Sequence, residues 1–440
     1  MRDILVTLIV LGSLPFILRQ PIFGGVMWVW ISVMNAHTQG WGFARTMPFA
    51  AIIAGAFIIS VFINRDKFRL PKSSVVVVFI LFALWPSVTS LFAINPDQIG
   101  GLWSRWNKIA LMTLFVLVVM RSRKDINWIL WTIFVSLGYY GIKGGIFTLA
   151  TGGQYRVWGP TGSFIDGNNE MALALVILIP LTYYLFLNTE NKWIKRGLIA
   201  AMILSATAAL GTYSRGALLA IIAMTGFLWL KSPHKAKLTL VLIFAAPFLF
   251  LLMPEKWHER MNTISTYQAD SSAMGRINAW TMAYNLAKDR PIVGGGFEIY
   301  DRNVFSKYAP DPTDVHAAHS IYFQVLGEHG WVGLLLYLLL GGMTWHSASW
   351  VSKRTKDDEE LSWAHQLVTM MKVALIGFFV GGAFLSLAYF DVPYFVMAII
   401  VAARALVERT LEARRAAPAS AVPAAAPSGA GPLAENNGTT

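Results

Sequence analysis

Apolar segments recur along almost the whole chain, and most are long enough to cross a lipid bilayer as a helix. Thirteen can be distinguished, at residues 4–18, 22–34, 47–63, 75–92, 109–120, 126–149, 171–187, 197–210, 217–230, 238–253, 321–345, 368–388 and 392–406. The first two are the shortest and are separated only by residues 19–21, which end in proline, so we expect one broken or re-entrant unit there. The pattern predicts an all-α, polytopic transmembrane bundle of about 12 spans, with thirteen as the alternative.

The loops between these segments alternate in charge, which orients the bundle. Short basic loops occur at 65–72, 121–124, 192–196, 231–237 and 353–356. Loops that are poorer in cations and richer in Gly, Pro and Trp occur at 36–45, 94–104, 151–168 and 254–319. The positive-inside rule assigns the basic loops to the cytoplasm and the others to the outer side of the membrane. With twelve crossings, both termini are expected in the cytoplasm.

The composition agrees with a membrane protein. Hydrophobic residues make up 55% of the chain and charged residues 14%, whereas soluble globular domains carry roughly 25% charged residues. Because the chain has no cysteine, disulfides, thiolate metal sites and cysteine nucleophiles are excluded. The net charge of +12 mainly reflects the basic cytoplasmic loops, so it gives no reason to expect a nucleic-acid partner.

The apolar segments divide the chain into four parts. Residues 1–253 and 319–411 are expected to form the transmembrane helices, and 254–318 a helical lid on the outer side. Residues 412–440 are rich in Ala, Pro, Gly and Ser and are expected to be a disordered cytoplasmic tail.

The lid contains one clear helical pattern. A stripe of apolar residues at helical spacing comprises Ile277, Trp280, Tyr284 and Ala287. Ser271 and Ser272 are candidate caps and Pro291 a stop signal, so we expect an amphipathic helix against the membrane surface or the bundle. The glycines at 294–296 predict a tight turn or a close approach to a ligand.

Several cations lie on the outer side, where the positive-inside rule does not explain them. Arg215 lies between two apolar segments joined by almost no loop, with no Asp or Glu near it in sequence. Because a buried guanidinium is costly unless paired, its most economical partner is a ligand anion such as a phosphate. Cations that would converge with it on one pyrophosphate cavity are Arg276, Lys108, Arg105 and Lys143, and Arg156 is a candidate for substrate contacts. The alternative is contact with lipid headgroups.

His319 directly precedes the apolar segment at 321–345, at the expected outward start of a helix. The positive end of the helix dipole disfavours imidazolium, so a neutral ring able to act as a general base is expected. His316 is a further candidate for substrate contacts. Two alternatives remain open: a histidine that only caps the helix, and a divalent metal site that adds Asp311 and Asp314, although proline interrupts those carboxylates.

Two other polar groups stand next to or inside apolar segments. Glu328 lies nine residues after His319, roughly on the opposite side of the helix, and is expected to pin a neighbouring helix. A polar cluster precedes the segment at 171–187 and comprises Asp166, Asn168, Asn169 and Glu170. This cluster is expected either to bind sugar hydroxyls or the lid, or to cap the helix.

The order and placement of these motifs resemble the O-antigen ligase and polymerase superfamily. The matching motifs are Tyr213-Ser214-Arg215-Gly216-Ala217, Gly275-Arg276 followed by Trp280, Pro291 with the 294–296 turn, His319-Ser320 followed by Glu328 and Gly330, and Asn168-Asn169-Glu170-Met171-Ala172. They span residues 150 to 400 and surround one large outward loop.

The resemblance implies a GT-C-like, inverting glycosyltransferase of the bacterial inner membrane that works on the periplasmic side without a metal, a cofactor or a nucleotide sugar. Its donor would be a glycan on undecaprenyl pyrophosphate, and its acceptor a hydroxyl of the lipid A core. His319 would activate that hydroxyl, while Arg215 and Arg276 would hold the pyrophosphate. Polymerases and protein O-oligosaccharyltransferases share this framework and remain alternatives, as does a lipid-linked glycan transporter, which would not need His319.

Overall fold

The computed structural model describes residues 1–231, 253–262 and 270–416, with a few short pieces between 235 and 251. This part of the chain is all-helical, as predicted, and contains no strand. Its α-helices are α1 (Arg2–Arg19), α2 (Pro21–Met34), α3 (Phe49–Ile63), α4 (Ser74–Ser90), α5 (Gly100–Val119), α6 (Arg123–Ala150), α7 (Asn168–Leu187), α8 (Lys192–Gly211), α9 (Arg215–Lys231), α10 (Glu255–Asn262), α11 (Ser271–Asp289), α12 (Arg302–Tyr308), α13 (Ile321–Thr355), α14 (Ser362–Gly382) and α15 (Asp391–Ala416).

Six of the described helices are long and apolar enough to cross a membrane, namely α5, α6, α7, α8, α13 and α14. Helices α2, α3 and α4 are apolar but shorter. The protein is therefore a multi-pass membrane protein, whereas the count of about twelve spans stays a prediction. The predicted segment at 238–253 falls largely outside the described residues, as does the predicted tail beyond 416, and α15 itself extends past the boundary expected at 411.

The first two helices run in opposite directions and do not form one broken crossing. The Asp3 carboxylate accepts hydrogen bonds from the backbone N–H groups of Gly42 and Ala44, 3.0 and 3.1 Å away, so α1 begins beside the outward loop 36–45. At its other end, the Ser60 hydroxyl near the end of α3 donates to the Ile17 carbonyl at 2.5 Å. The 18 residues of α1 extend about 27 Å, close to the thickness of a bilayer core.

One extended residue, Gln20, reverses the chain before Pro21 starts α2. The broken form of the expected unit is therefore wrong, whereas the re-entrant form, in which the chain also reverses, stays a prediction. The two ends of the chain have different neighbours, and the expectation that both lie in the cytoplasm stays a prediction. Arg2 lies beside loop 36–45, whereas Arg414 pairs with Asp358 in the loop between α13 and α14, among the basic loops.

Close helix packing fixes the turn that precedes α9. A side chain at Gly145 of α6 would collide with the backbone of Leu204 in α8, and Gly141 and Gly144 also lie against other elements. Small residues let helix backbones approach closely where lipid supplies no hydrophobic drive for association. Helix α8 is therefore held against α6 up to its last residue, Gly211, and Arg215 follows four residues later.

Helix α13 is kinked at Gly330, whose φ of 69° and ψ of −171° are not helical. The glycine turn after the lid helix occupies this kink. The N–H groups of Gly295 and Gly296 donate to the carbonyls of Gly327 and Glu328 at 2.9 and 2.8 Å, and Trp331 donates back to Pro291 at 2.8 Å. The predicted close approach of the glycines is thus to the α13 backbone, because a Cβ at Gly294 would lie 2.6 Å from the Gly327 carbonyl oxygen.

The orientation of α1 can be tested directly because the protein has no cysteine of its own. An Arg2→Cys variant should react with a membrane-impermeant maleimide from the same side of sealed vesicles as Trp41→Cys in loop 36–45. Lys356→Cys, between α13 and α14, should react from the opposite side. Labelling of Arg2→Cys from the same side as Lys356→Cys would instead support a single broken crossing.

Candidate functional site

The lid helix α11 is capped by Asp270 and docked on the start of α13. One Asp270 carboxylate oxygen accepts from Ala273 N–H at 3.1 Å, so this residue caps the helix in place of the predicted Ser271 and Ser272. The Trp280 indole donates to the Ala318 carbonyl at 2.6 Å and stacks on Phe323, with 5.1 Å between ring centroids. The lid is thereby held across the outward end of α13.

The buried stripe of α11 differs from the predicted one. Its buried residues are Gly275, Asn278, Ala279, Met282, Ala283, Leu286 and Ala287. Tyr284 is 44% exposed. Asn278 is buried although polar because its amide donates to the carbonyls of Asp311 and Asp314 and accepts from Asp311 N–H, 2.8 to 2.9 Å away. An apolar-periodicity count cannot detect this use of an asparagine.

Arg215 is the first residue of α9 and forms an ion pair with the lid. Ser214 caps this helix by accepting from Ala217 N–H at 3.2 Å. The Arg215 guanidinium lies 2.5 Å from the Asp270 carboxylate, and the two side chains are only 11% and 8% exposed. A carboxylate 55 residues later in the chain thus pairs with Arg215, and the expectation that Arg215 also binds a ligand anion stays a prediction.

Arg276 and Arg260 extend the positive charge around this ion pair. Burial lowers the pKa of Arg276, and the like charges of Arg215 and Arg260 lower it further, while Asp270 and Glu170 act in the opposite direction. Burial followed by the charges of Arg215 and Arg156 also lowers the pKa of Arg260. Three guanidinium groups thus repel one another beside the two carboxylates of Asp270 and Glu170, an arrangement that an added anion would stabilise.

His319 adjoins this cluster. Burial lowers its pKa to about 4, with further lowering by the Arg276 charge and by His316. The ring is therefore neutral at pH 7, as expected, although desolvation is the largest cause and a helix dipole is not among the causes found. Its Nδ1 atom is buried without a hydrogen-bond partner in the described part of the chain. The backbone N–H donates to the Ser386 hydroxyl at 2.9 Å, which fixes the residue at the start of α13.

Two residues of the site motifs have left-handed backbone conformations. The φ angles of Tyr213 and His319 are 62° and 42°, which bulky residues adopt rarely and at a cost. Packing holds both in place: the Tyr213 hydroxyl donates to the Gly153 carbonyl at 2.7 Å, and Ser386 holds His319. Arg215 follows Tyr213 as the first residue of α9, and His319 lies two residues before α13 begins at Ile321.

The polar cluster before α7 divides between two uses. Asn168 donates to the Thr212 carbonyl at 2.8 Å and so supports the turn before Arg215. The Glu170 side chain folds back over Gly167, and its negative charge raises the pKa of Arg276. Asn169, which lies between these two residues in sequence, is half-buried. The cluster therefore lies next to the arginines, and its role in binding sugar stays a prediction.

The cations Arg105, Lys108 and Lys143 line other cavities, so the expectation that they share one cavity with Arg215 and Arg276 is wrong, whereas Arg156 lies beside Tyr213 and Arg260. Arg105 and Lys108 line a separate cavity of about 290 Å³, where Arg105 donates to the Gly162 carbonyl at 3.1 Å and lies 4.7 Å above the Phe164 ring. Lys143 and Arg156 line another cavity of about 470 Å³. Helices α5 and α6 reach this surface at other places than α9, so the cations that they carry line different cavities.

His316 lies against the lid helix, since a side chain at Gly275 would meet its ring 2.7 Å away. Its Nδ1 atom is 3.0 Å from Asp314, whereas the Asp311 carboxylate accepts from the backbone and hydroxyl of Thr313. The described residues contain no group of three or more His, Asp or Glu that could hold a metal. The alternative of a metal site at Asp311, Asp314, His316 and His319 therefore has no geometric support.

Sequence reasoning missed three residues of the site: Arg260, Asp270 and Ser386. Asp270 precedes Ser271 and Ser272 and is itself a preferred helix cap, so a capping search one residue wider would have found it. Arg260 lies on the short amphipathic helix α10, and nothing in its spacing marks it. Ser386 lies in the loop after α14 and contacts His319 only because the two segments pack together, which no local sequence pattern predicts.

The fold and site define a class: a multi-pass helical membrane protein with an arginine cluster at the start of α9 and on α11. Residues 200–338 match the O-antigen ligase family, and residues 1–190 match a family of unknown function (DUF5935). The first match covers less than half of the chain and supports the expected O-antigen ligase and polymerase superfamily. No curated protein shows significant similarity to the chain.

The ion pair between α9 and the lid can be tested by removing its acid. Asp270→Asn keeps a capping oxygen but leaves Arg215 buried without its carboxylate, so we expect a loss of about 3 kcal/mol in the free energy of unfolding in mixed micelles. Asp289→Asn removes the acid of an exposed ion pair with Lys307, whose side chains are 52% and 66% exposed, and should cost much less stability. Equal losses of unfolding free energy in the two variants would show that burial does not make the Arg215–Asp270 ion pair more stabilising than an exposed one.

Proposed function

We propose that the protein transfers a glycan from undecaprenyl pyrophosphate to a hydroxyl group of lipid A-core oligosaccharide, on the periplasmic face of the bacterial inner membrane. Arg215, Arg276 and His319 all lie within the residues that match the O-antigen ligase family. The observation that best supports the proposal is the neutral imidazole of His319, with an unpartnered Nδ1, next to the charge of Arg276. A base beside an anion site is what such a transfer requires.

In the proposed reaction the acceptor oxygen attacks the anomeric carbon of the glycan, and its proton passes to the His319 ring. The bond from the anomeric carbon to the pyrophosphate oxygen breaks, and its electron pair leaves with the pyrophosphate. Attack opposite to the leaving group inverts the anomeric configuration. Arg215 and Arg276 stabilise the charge that develops on the pyrophosphate. The donor is already activated, so the mechanism we propose uses no metal and no cofactor.

Donor binding should also strengthen the base. The charge of Arg276 contributes to the low pKa of His319 in the free protein. A bound pyrophosphate would offset that positive charge, so the pKa of His319 would rise towards its ordinary value. The ring would then accept the acceptor's proton more readily when the donor is in place than when it is absent.

The proposal is tested by incubating purified protein with the lipid-linked glycan and lipid A-core, and identifying the product. His319→Ala should lower the rate of transfer by about 10²- to 10⁴-fold, the usual contribution of a general base, without loss of donor binding. His346→Ala, an exposed histidine in the cytoplasmic half of α13, is the matched control and should leave the rate unchanged.

Unchanged transfer by His319→Ala would contradict the assignment of the base. The acceptor is tested by adding lipid A-core, a second lipid-linked glycan or a protein to separate reactions. Transfer only to the second glycan would identify a polymerase, and transfer to protein an O-oligosaccharyltransferase. Movement of the lipid-linked glycan across vesicles without transfer would indicate a transporter.

A further inference from the structure

A second hollow on the outer face is lined by side chains that the proposed transfer does not use. It has a volume of about 470 Å³ and lies between the start of α1, loop 36–45, α6 and loop 151–167. We call it the α1–α6 cavity. Its size falls within the usual range for small-molecule sites. The reversal of α1 creates it, because that reversal brings Arg2 to the outer face.

The charged side chains lining this cavity are all basic among the described residues: Arg2, Arg45, Lys143 and Arg156. Each of the four is exposed. Asp3, which follows Arg2, is held by the backbone N–H groups of Gly42 and Ala44. Because four like charges repel one another in the empty cavity, an anionic ligand that touches several of them would be bound favourably.

The walls of the cavity also suit a carbohydrate better than a lipid headgroup alone. Trp41 and Trp158 line it and are 87% and 60% exposed, so two large aromatic faces are open to a ligand. Gln39 and Tyr140 are hydrogen-bonded to each other at 2.6 Å and supply a polar wall. Aromatic faces combined with a few fixed polar groups are typical of sites that orient a ligand.

Arg156 links this cavity to the proposed transfer site. Its guanidinium lies 5.6 Å from the centre of the Tyr213 ring, and Tyr213 comes two residues before Arg215. Arg156 also lines a smaller hollow with Arg260, whose charge acts on Arg276. Basic side chains therefore continue from the α1–α6 cavity towards the arginines of the site.

We propose that the α1–α6 cavity binds an anionic segment of the acceptor glycan, that is, a saccharide carrying phosphate or carboxylate groups. This inference rests on the proposed transfer reaction for the identity of the ligand as acceptor. The basic side chains bind the anionic groups, and the two tryptophans contact the sugar rings. The acceptor is then held beside the site with its reactive hydroxyl directed along Arg156 towards His319.

The test measures binding of a phosphorylated pentasaccharide, and of the same pentasaccharide after dephosphorylation, to the full-length protein in phosphatidylcholine nanodiscs. The double variant Arg45→Gln, Lys143→Gln should weaken binding of the phosphorylated form about tenfold or more, since charge-assisted hydrogen bonds are lost. Binding of the dephosphorylated form should change less than about twofold. Trp41→Ala, which removes an exposed side chain, should weaken binding of both forms.

The matched control is Arg302→Gln, Lys307→Gln, which removes two exposed charges from α12 on the lid. Equal weakening by the two double variants would overturn the proposal in favour of general electrostatic attraction. Unchanged saccharide binding, with reduced retention of phosphatidylglycerol in mixed nanodiscs, would identify a headgroup site and also overturn it. His319→Ala should keep full saccharide binding, so failure of the transfer reaction and failure of this proposal give different results.

Discussion

The ion pair between Arg215 and Asp270 is the interaction on which the arrangement of the site depends. It joins the first residue of α9 to the cap of the lid helix, with both side chains largely removed from water. A guanidinium at a helix start is opposed by the helix dipole, so the carboxylate is needed to keep it there. Because Asp270 also caps α11, the same residue neutralises Arg215 and fixes where the lid begins.

The rest of the site follows from that connection. Once α11 is held at its start, Trp280 ties its middle to the residues before α13, and the glycine turn after it fills the kink at Gly330. The lid is therefore fixed at three points along its length. Arg276 is carried on this helix and His319 stands at the start of α13, so their proximity is a consequence of the lid's attachment.

The helical class and the helix at 271–289 could be predicted from sequence because each depends on local pattern. Charges that the positive-inside rule does not explain single out Arg215 and Arg276, and a histidine before an apolar segment singles out His319, but the roles of these residues stay predictions. The partner of Arg215 could not be predicted, since Asp270 is distant in sequence and meets it only through folding. The reversal at Gln20 could not be predicted either, because it depends on the conformation of this single residue between two apolar segments. Asn278 was missed for a related reason: a buried polar residue that satisfies loop carbonyls breaks the apolar stripe.

The charge arrangement explains why one arginine cluster suits an anion although it already contains an acid. The carboxylates of Asp270 and Glu170 act against the guanidinium groups of Arg215, Arg260 and Arg276, so the three basic groups outnumber the two acids named here. The cavities at Arg105 and at Lys143 are separate hollows with basic side chains of their own. The arginine cluster differs from them in lying beside His319, whose pKa is lowered to about 4 by burial and by the charge of Arg276.

The most direct measurement is an experimental structure of the protein with a non-hydrolysable analogue of undecaprenyl pyrophosphate glycan. The account predicts pyrophosphate density in contact with Arg215 and Arg276, with the anomeric carbon facing His319. Density for the pyrophosphate in the cavity of Arg105 and Lys108, or in the α1–α6 cavity, with His319 far from the sugar, would contradict it.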